Sequence, residues 1–498
     1  MLFAWVLLAC SPSAIDSTDS TGATDDPGTT DTSTTTWYDP TTVTDTGAAE
    51  ILYLRARAHE RYPTLIEVGW TQTFDGEVVV EYRFDEDGWR QAPPVQGVVG
   101  RNARLLVGIP YSAEVEWRVT SERTDPKAAE ETFVVEDPPP LMPVPVVTTS
   151  VPEAWSADNA YLLTSVSETR NDWGSAGPYH TMLVDRKGRV IWSNAGTGSL
   201  RTLYPQVSVS GDHLLLDRFA FPTSAADEAF AIRLHLDEEI ERIGIPGHHH
   251  AFIELPDGTL AWGSRWNGEG GHVTGNYNEA LVEKAPGEEG NGTVVWRCKG
   301  DWFEADAFAQ CRSNALHYDP ASDTYTVSFY TLQSVVAIER STADVVWWAG
   351  SEGPDNQGYT FVPSESQFWW QHGVNITAAG TLLVSSHDGG FPASTNLGIE
   401  YAIESNSRVL RRIWDYDAGE LAEYNGDIKR AADGHTLHQV GTACLVNEAD
   451  ENGDIVWQVD FDQGSDTRRT RLMGTASFVA DPYALLSPDS TKVGITAP

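Results

Sequence analysis

Residues 335–348, Val335-Val336-Ala337-Ile338-Glu339-Arg340-Ser341-Thr342-Ala343-Asp344-Val345-Val346-Trp347-Trp348, read as an apolar strand, a polar turn and a second apolar strand that closes on tryptophan. A run of four to eight β-branched and apolar residues on either side of a turn is the signature of a hairpin. The same unit recurs along the chain. It ends at Trp192 in MLVDRKGRVIW, at Trp414 in YAIESNSRVLRRIW and at Trp457 in CLVNEADENGDIVW. A looser copy ends at Trp296, and a degenerate one, AIRLHLDEEIERIGI, ends at Ile245 without tryptophan. The six ends lie 53, 51, 51, 67 and 43 residues apart. That interval fits one four-stranded blade. Each tail follows a head of two strands about a glycine turn, as in PDGTLAW (256–262), AAGTLLV (378–384) and ADGHTLH (432–438). The pattern predicts an all-β chain whose bulk, residues 145–498, is a six-bladed β-propeller.

In a propeller, equivalent positions of the inner strands converge on one axis, so polar residues recurring at one repeat position are expected to meet. Eight residues before the turn glycines Gly258, Gly380 and Gly434 stand His250, His372 and Gly426. The intervening blade begins Cys311-Arg312-Ser313-Asn314. His249, His250, Arg312, Asn314, Gln371 and His372 are therefore expected around the centre. His248, His249 and His250 cannot all point one way from a strand. No carboxylate stands at a matching position to complete a metal triad. No metal and no cofactor is expected. Arg265, Lys429, His387 and His438 are reserve candidates.

Upstream, residues 50–136 alternate apolar and polar residues in six short runs, which predicts a small Ig-like β-sandwich. Asp137-Pro138-Pro139-Pro140 opens a stiff linker over 137–144. Residues 11–49 are almost all Ser, Thr, Asp, Gly and Ala, too polar to offset the entropy of ordering, and are read as a disordered tether. Residues 1–10, MLFAWVLLAC, are apolar but too short to span a bilayer. Leu7-Leu8-Ala9-Cys10 resembles a bacterial lipobox, with Cys10 as the lipidated residue. No Lys or Arg precedes the apolar run, and a start codon further upstream would account for that. These features predict an exported lipoprotein, periplasmic or at the cell surface. Cys298 and Cys311, with twelve residues between them, are expected to form a disulfide in that compartment. Such a bridge contributes on the order of 3 kcal/mol. Cys444 is left as a buried thiol. The formal charge of -39 repels nucleic acid and anionic membranes. An anionic substrate then requires a local cationic pocket. The oligomeric state is not legible.

Five stretches resemble the bacterial arylsulfotransferases (aryl-sulfate sulfotransferases). They are GHHHAFIELPDGTL (247–260), SNALHYDPASDTYTVSF (313–329) followed by VVAIERSTADVVWWAG, QFWWQHGVNITAAGTLLVSSHDGG (367–390), SRVLRRIWDY (407–416) and GDIKRAADGHTLHQVG (426–441). The resemblance implies transfer of a sulfuryl group from an aryl sulfate to a phenol through a sulfated histidine. It makes His372 the nucleophile, one of His249 and His250 a donor to oxygen, and Asn314 a polar member of the site. Gln371, Tyr330 and Trp370 are expected against the substrate, with Phe368 and Trp369 nearby. Two positions depart from the family pattern. Arg312 stands where the family has histidine in His-x-Asn, and Tyr330 where it has arginine in Ser-x-Arg. Arg312 is able to supply the displaced positive charge, since guanidinium pairs well with sulfate-like oxygens. The same departures also fit a second function, a non-catalytic propeller that binds a ligand at the cell surface.

Overall fold

The computed structural model describes residues 48–490, except 87, 125–129, 141, 157–158, 171–178, 197–199, 221–228, 266–278, 303–310, 355–357, 391, 462–468 and 489. The described residues cluster as one compact unit. The lipobox, Cys10 and most of the tether lie outside the described residues. The chain is all-β, apart from single helical turns.

Two sheets form the N-terminal part. Ile51–Ala58, Ile66–Gln72 and Gly100–Leu106 make one. Gly76–Phe84, Glu114–Thr120 and Glu130–Val134, with the short strands Arg90–Gln91 and Val95–Gly97, make the other. Their alternation turns Val68 and Trp70 of the first sheet and Val78, Val80, Val115 and Trp117 of the second into one shared core.

From residue 146 onward the described residues form six sheets. The first holds Tyr161–Arg170, Tyr179–Asp185 and Val190–Gly196. The second holds Leu214–Ala220, Phe230–Leu234 and Glu239–Gly244, and its inner strand is broken into Leu200–Arg201 and Gln206–Val207. The third starts on its inner side with His248–Glu254, the fourth with Ser313–Asp319, the fifth with Trp369–Ile376 and the sixth with Asp427–Arg430. Successive strands in each sheet pair antiparallel, as hairpins dictate. The inner sides of all six sheets line one cavity of about 150 Å³, through Thr475, Gln206, Phe252, Asn314, Asn375 and Asp427 in sheet order. This is a β-propeller arrangement.

The recurring tryptophan has a physical reason. It ends the outermost hairpin and packs toward the next sheet, as Trp296 does against Phe329, and at Trp192, Trp414 and Trp457 it also donates its indole N–H there. Trp192 of the first sheet donates to Leu236 O at 2.9 Å. Trp414 of the fifth donates to Glu451 O of the sixth sheet's turn at 3.1 Å, and Trp457 of the sixth to Arg186 O of the first at 3.1 Å. Each such bond adds about 1 kcal/mol to the apolar burial.

Strands from both ends of this six-sheet stretch close the ring. Val146–Ser150 adds an outer strand to the sixth sheet, beside Ile455–Asp460. Ala476–Val479 and Arg469–Leu472 add the inner strand to the first sheet, beside Tyr161–Arg170. At this seam Glu448 is fully buried and binds the Arg186 guanidinium, the backbone N–H of Ser156 at 2.8 Å and His435 Nδ1 at 2.8 Å. Arg186 lies over the rings of Trp155, Trp457 and Phe478 at 5.2, 4.9 and 4.8 Å. Cys298 and Cys311 form a disulfide, and Cys444 stands outside it and is buried.

Candidate functional site

The fifth sheet's inner strand, Trp369–Ile376, is irregular around His372. Its pairing with Leu382–His387 shifts register on both sides of that residue. Trp370 takes a left-handed backbone, φ 49°, and Gly373 takes φ 78°. A Cβ on Gly373 would sit 2.7 Å from Asp427 Cα of the sixth sheet, so only glycine fits there. Bulges of this kind re-aim side chains at functional sites.

The kink turns the Trp370 carbonyl back toward the imidazole. His372 Nδ1 lies 3.2 Å from Trp370 O. Burial pushes the imidazole down to about 3, with help from nearby His387, while the carbonyl opposes the shift. His372 is therefore neutral, Nδ1 carries the proton, and Nε2 keeps its lone pair. Tyr330, from the turn after Thr324–Phe329, places its ring 4.8 Å from the imidazole and 5.2 Å from Trp370. Burial and the neighbouring Tyr424 push its phenol up to about 12, and Arg312 opposes them. Tyr330 N–H donates to Arg312 O at 3.1 Å. Arg312, Tyr330, Trp370 and His372 thus form one group.

Asn314 and Gln371 meet, and Asn314 also lines the central cavity. Asn314 Nδ2 donates to Gln371 O at 2.6 Å. Gln371 is fully buried, and its amide nitrogen donates to Ser328 Oγ, Phe329 O and Ser334 O at 3.1–3.2 Å. The expectation that Gln371 faces the substrate is corrected: the left-handed turn at Trp370 sends its side chain into the seam between the fourth and fifth sheets. Asn314 likewise uses its donor on the strand that carries His372.

The histidine triplet divides. His248 is fully buried, with Nε2 3.5 Å from Asp217 Oδ2, whose carboxylate also accepts the Leu203 and Tyr204 N–H groups. His250 is half-buried with its ring 6.2 Å from Tyr204. The side chain of His249 lies outside the described residues.

Three reserve candidates bond within the fold, and Lys429 also lines the central cavity. Lys429 donates to Thr475 Oγ1, Ala476 O and Ser477 Oγ, each at 2.9 Å, and pairs with Asp427 at 3.0 Å. His438 is buried and bridges Ser385 Oγ at 2.8 Å and Tyr416 OH at 2.6 Å. His387 Nε2 meets Ala422 O at 2.9 Å.

Glu279 escaped the sequence reading. It is buried in the third sheet, and its carboxylate accepts the backbone N–H of Ser313, between Arg312 and Asn314. No repeat position or motif marks it. Among the described residues no group of three or more His, Cys, Asp or Glu is arranged to hold a metal ion. No helix of the described residues is long and apolar enough to cross a membrane.

Residues 290–462 match the arylsulfotransferase (ASST) family. They include Arg312, Asn314, Tyr330, Trp370, Gln371 and His372. No curated protein sequence matches the chain. Among solved structures it is similar to a periplasmic gluconolactonase of Pseudomonas aeruginosa, with 11% identity, 81% of this chain and 99% of that chain covered, and a TM-score of 0.38. A putative 6-phosphogluconolactonase from Bacteroides fragilis matches with 11% identity, 81% and 98% coverage, and a TM-score of 0.38. A Bacteroides caccae protein of unknown function matches with 14% identity, 60% and 93% coverage, and a TM-score of 0.38.

Proposed function

We propose that this chain, which carries the arylsulfotransferase family match over residues 290–462, moves a sulfuryl group from an aryl sulfate to a phenol through His372. The observation that carries the reading is the state of that imidazole. It is neutral, its Nδ1 proton is directed at the Trp370 carbonyl, and its Nε2 is left as the nucleophile.

In the first half-reaction Nε2 attacks sulfur. An N–S bond forms, the S–O bond to the aryl group breaks, and the electron pair leaves on the phenolic oxygen, which takes up a proton. The Trp370 carbonyl supports the imidazolium that develops. In the second half an acceptor phenol gives up its proton, its oxygen attacks the same sulfur, and the N–S bond returns its pair to Nε2. Protons and electrons balance with no cofactor. Arg312 supplies positive charge to the sulfuryl oxygens, which gain charge as the bonds exchange. Asn314 acts by holding the His372 strand through Gln371 O. Tyr330 and Trp370 supply the aryl-facing wall, and one of His249 and His250 donates to oxygen from the third sheet.

The replacements at Arg312 and Tyr330 favour one second reading, ligand binding without transfer. Incubation with 4-nitrophenyl sulfate and phenol separates the two. Acceptor-dependent release of nitrophenol that is lost in His372→Ala supports transfer, and its absence across several donors and acceptors supports binding alone. Around this site the wider reading is a six-bladed propeller behind an Ig-like sandwich, tethered by lipid at Cys10 on an exported protein. Cell fractionation tests the anchor: Cys10→Ala is expected in the soluble fraction, and its retention on membranes counts against lipidation.

A further inference from the structure

Three sheets meet at the first residues of the strand Ser313–Asp319. Glu279 stands at the start of the third sheet's strand Ala280–Lys284 and is 2% exposed. Its carboxylate accepts the Ser313 N–H. Residues on either side of Ser313 are Arg312, whose carbonyl accepts the Tyr330 N–H and whose charge acts on the Tyr330 phenol, and Asn314, which donates to Gln371 O in the fifth sheet. Contacts thus run without a break from Glu279 through Ser313 and Asn314 to Gln371 and His372. The packing is close where Ser313 meets the third sheet: a Cβ on Gly263 would collide with Ser313 Oγ, so only glycine lets that residue approach Glu279. Arg265, which closes the same hairpin and donates its N–H to Gly247 O at 3.0 Å, and Arg312 are the charged groups whose fields act on the carboxylate.

We propose that Glu279 is a positioning residue, whose buried carboxylate grips the Ser313 backbone between two arginines and so fixes where Arg312 and Asn314 stand relative to His372. This rests on the sulfuryl-transfer reading above. A carboxylate costs free energy to bury, and an amide or a hydrophobe at this place would hold the fold with less strain. The cost is visible in the group itself. Burial pushes the carboxyl up to about 7, against the pull of Ser313, Arg265 and Arg312. Its charge is therefore present above neutral pH and absent below. His372 at about 3 and Tyr330 at about 12 titrate far from that window.

Two variants and their pH profiles decide the matter. Glu279→Gln keeps an oxygen for Ser313 and removes the charge. It is expected to lower kcat/KM for 4-nitrophenyl sulfate by about tenfold or more, mainly in kcat, while the bound strand stays folded. The wild-type profile is expected to rise with pH through a limb near 7. That limb should vanish in Glu279→Gln. Above that limb the variant should also melt at a higher temperature than wild type, the reverse of what loss of a merely structural carboxylate would give. Glu279→Asp, which keeps the charge and shortens the reach, should keep a pH limb with reduced kcat. Wild-type kcat/KM and an unchanged limb in Glu279→Gln would overturn the proposal while leaving transfer through His372 intact. If the wild-type protein shows no transfer, the sulfuryl-transfer reading fails on its own. The positioning role is then judged by calorimetric binding of inorganic sulfate to wild type, Glu279→Gln and Arg312→Ala. Comparable weakening in both variants upholds it. Wild-type affinity in Glu279→Gln, or no sulfate binding by the wild type, overturns it.

Discussion

His372 depends on two backbone conformations beside it. A left-handed Trp370 costs about 1 kcal/mol and is held only because its carbonyl and ring are both used. Gly373 has no room for a side chain against Asp427. Gly373→Ala is therefore expected to destabilise the protein by about 1–3 kcal/mol and to lower nitrophenol release by more than the stability loss explains, because the clash moves the imidazole off the Trp370 carbonyl. Denaturation and kinetics on the same preparation check this, and wild-type activity in Gly373→Ala contradicts it. At this scale the spacing from a turn glycine led to an inner strand, and His372 does stand on one, Trp369–Ile376. The direction of Gln371 was not legible. Strand alternation assigns faces only where φ and register are regular, and Trp370 breaks both. Glu279 was illegible for a different reason. Its partner is a backbone N–H in the next sheet, and backbone partners leave no side-chain pattern to read.

Hairpins carry the fold, and tryptophan marks them. The tails ending at Trp192, Trp296, Trp414 and Trp457 were readable because one residue type reaches toward the next sheet, by an indole bond in three of them and by packing on Phe329 at Trp296. Closure was not readable. Val146–Ser150 pairs with Ile455–Asp460, and Ala476–Val479 with Tyr161–Arg170, each across some three hundred residues of chain, and no local spacing registers such a pairing. The seam these strands form concentrates charge on Glu448. Its side chain is fully buried against an Arg186 side chain with 10% exposure. Removing one partner of a buried pair leaves the other uncompensated, at a cost of about 3–5 kcal/mol. Glu448→Ala is expected to lower Tm sharply. Hydrogen exchange should locate the opening at Tyr161–Arg170 and Ile455–Asp460 first. Uniform loosening of all six sheets would contradict a seam held at this residue.

As a whole, the molecule is a strongly acidic chain that keeps several imidazoles dry. Burial depresses His317 and His438 to about 4 and His372 to about 3, against an ordinary value of 6.5. Groups depressed in this way stabilise the folded state above 6.5, and the contribution is lost as pH falls below it, by about 1.4 kcal/mol per pH unit for each group. Glu279 runs oppositely. Its folded value is raised from 4.5 to about 7, so its contribution is present at low pH and lost as pH rises through that range. Four depressed imidazoles, counting His387, against the raised Glu279 and His213 leave a net uptake of protons on unfolding between these limits. Urea unfolding should therefore yield a smaller free energy at about pH 5 than at about pH 6.5, and equal stability at the two would contradict the buried, neutral state of these imidazoles. That state is what the proposed chemistry requires of His372. Its most direct test is to quench the protein after mixing with 4-nitrophenyl sulfate alone and to map the mass of its peptides. The account predicts one added SO₃ group on the peptide bearing His372, discharged by phenol and missing in His372→Ala. Acceptor-dependent transfer that persists in His372→Ala, or an SO₃ group carried on another residue, would contradict it.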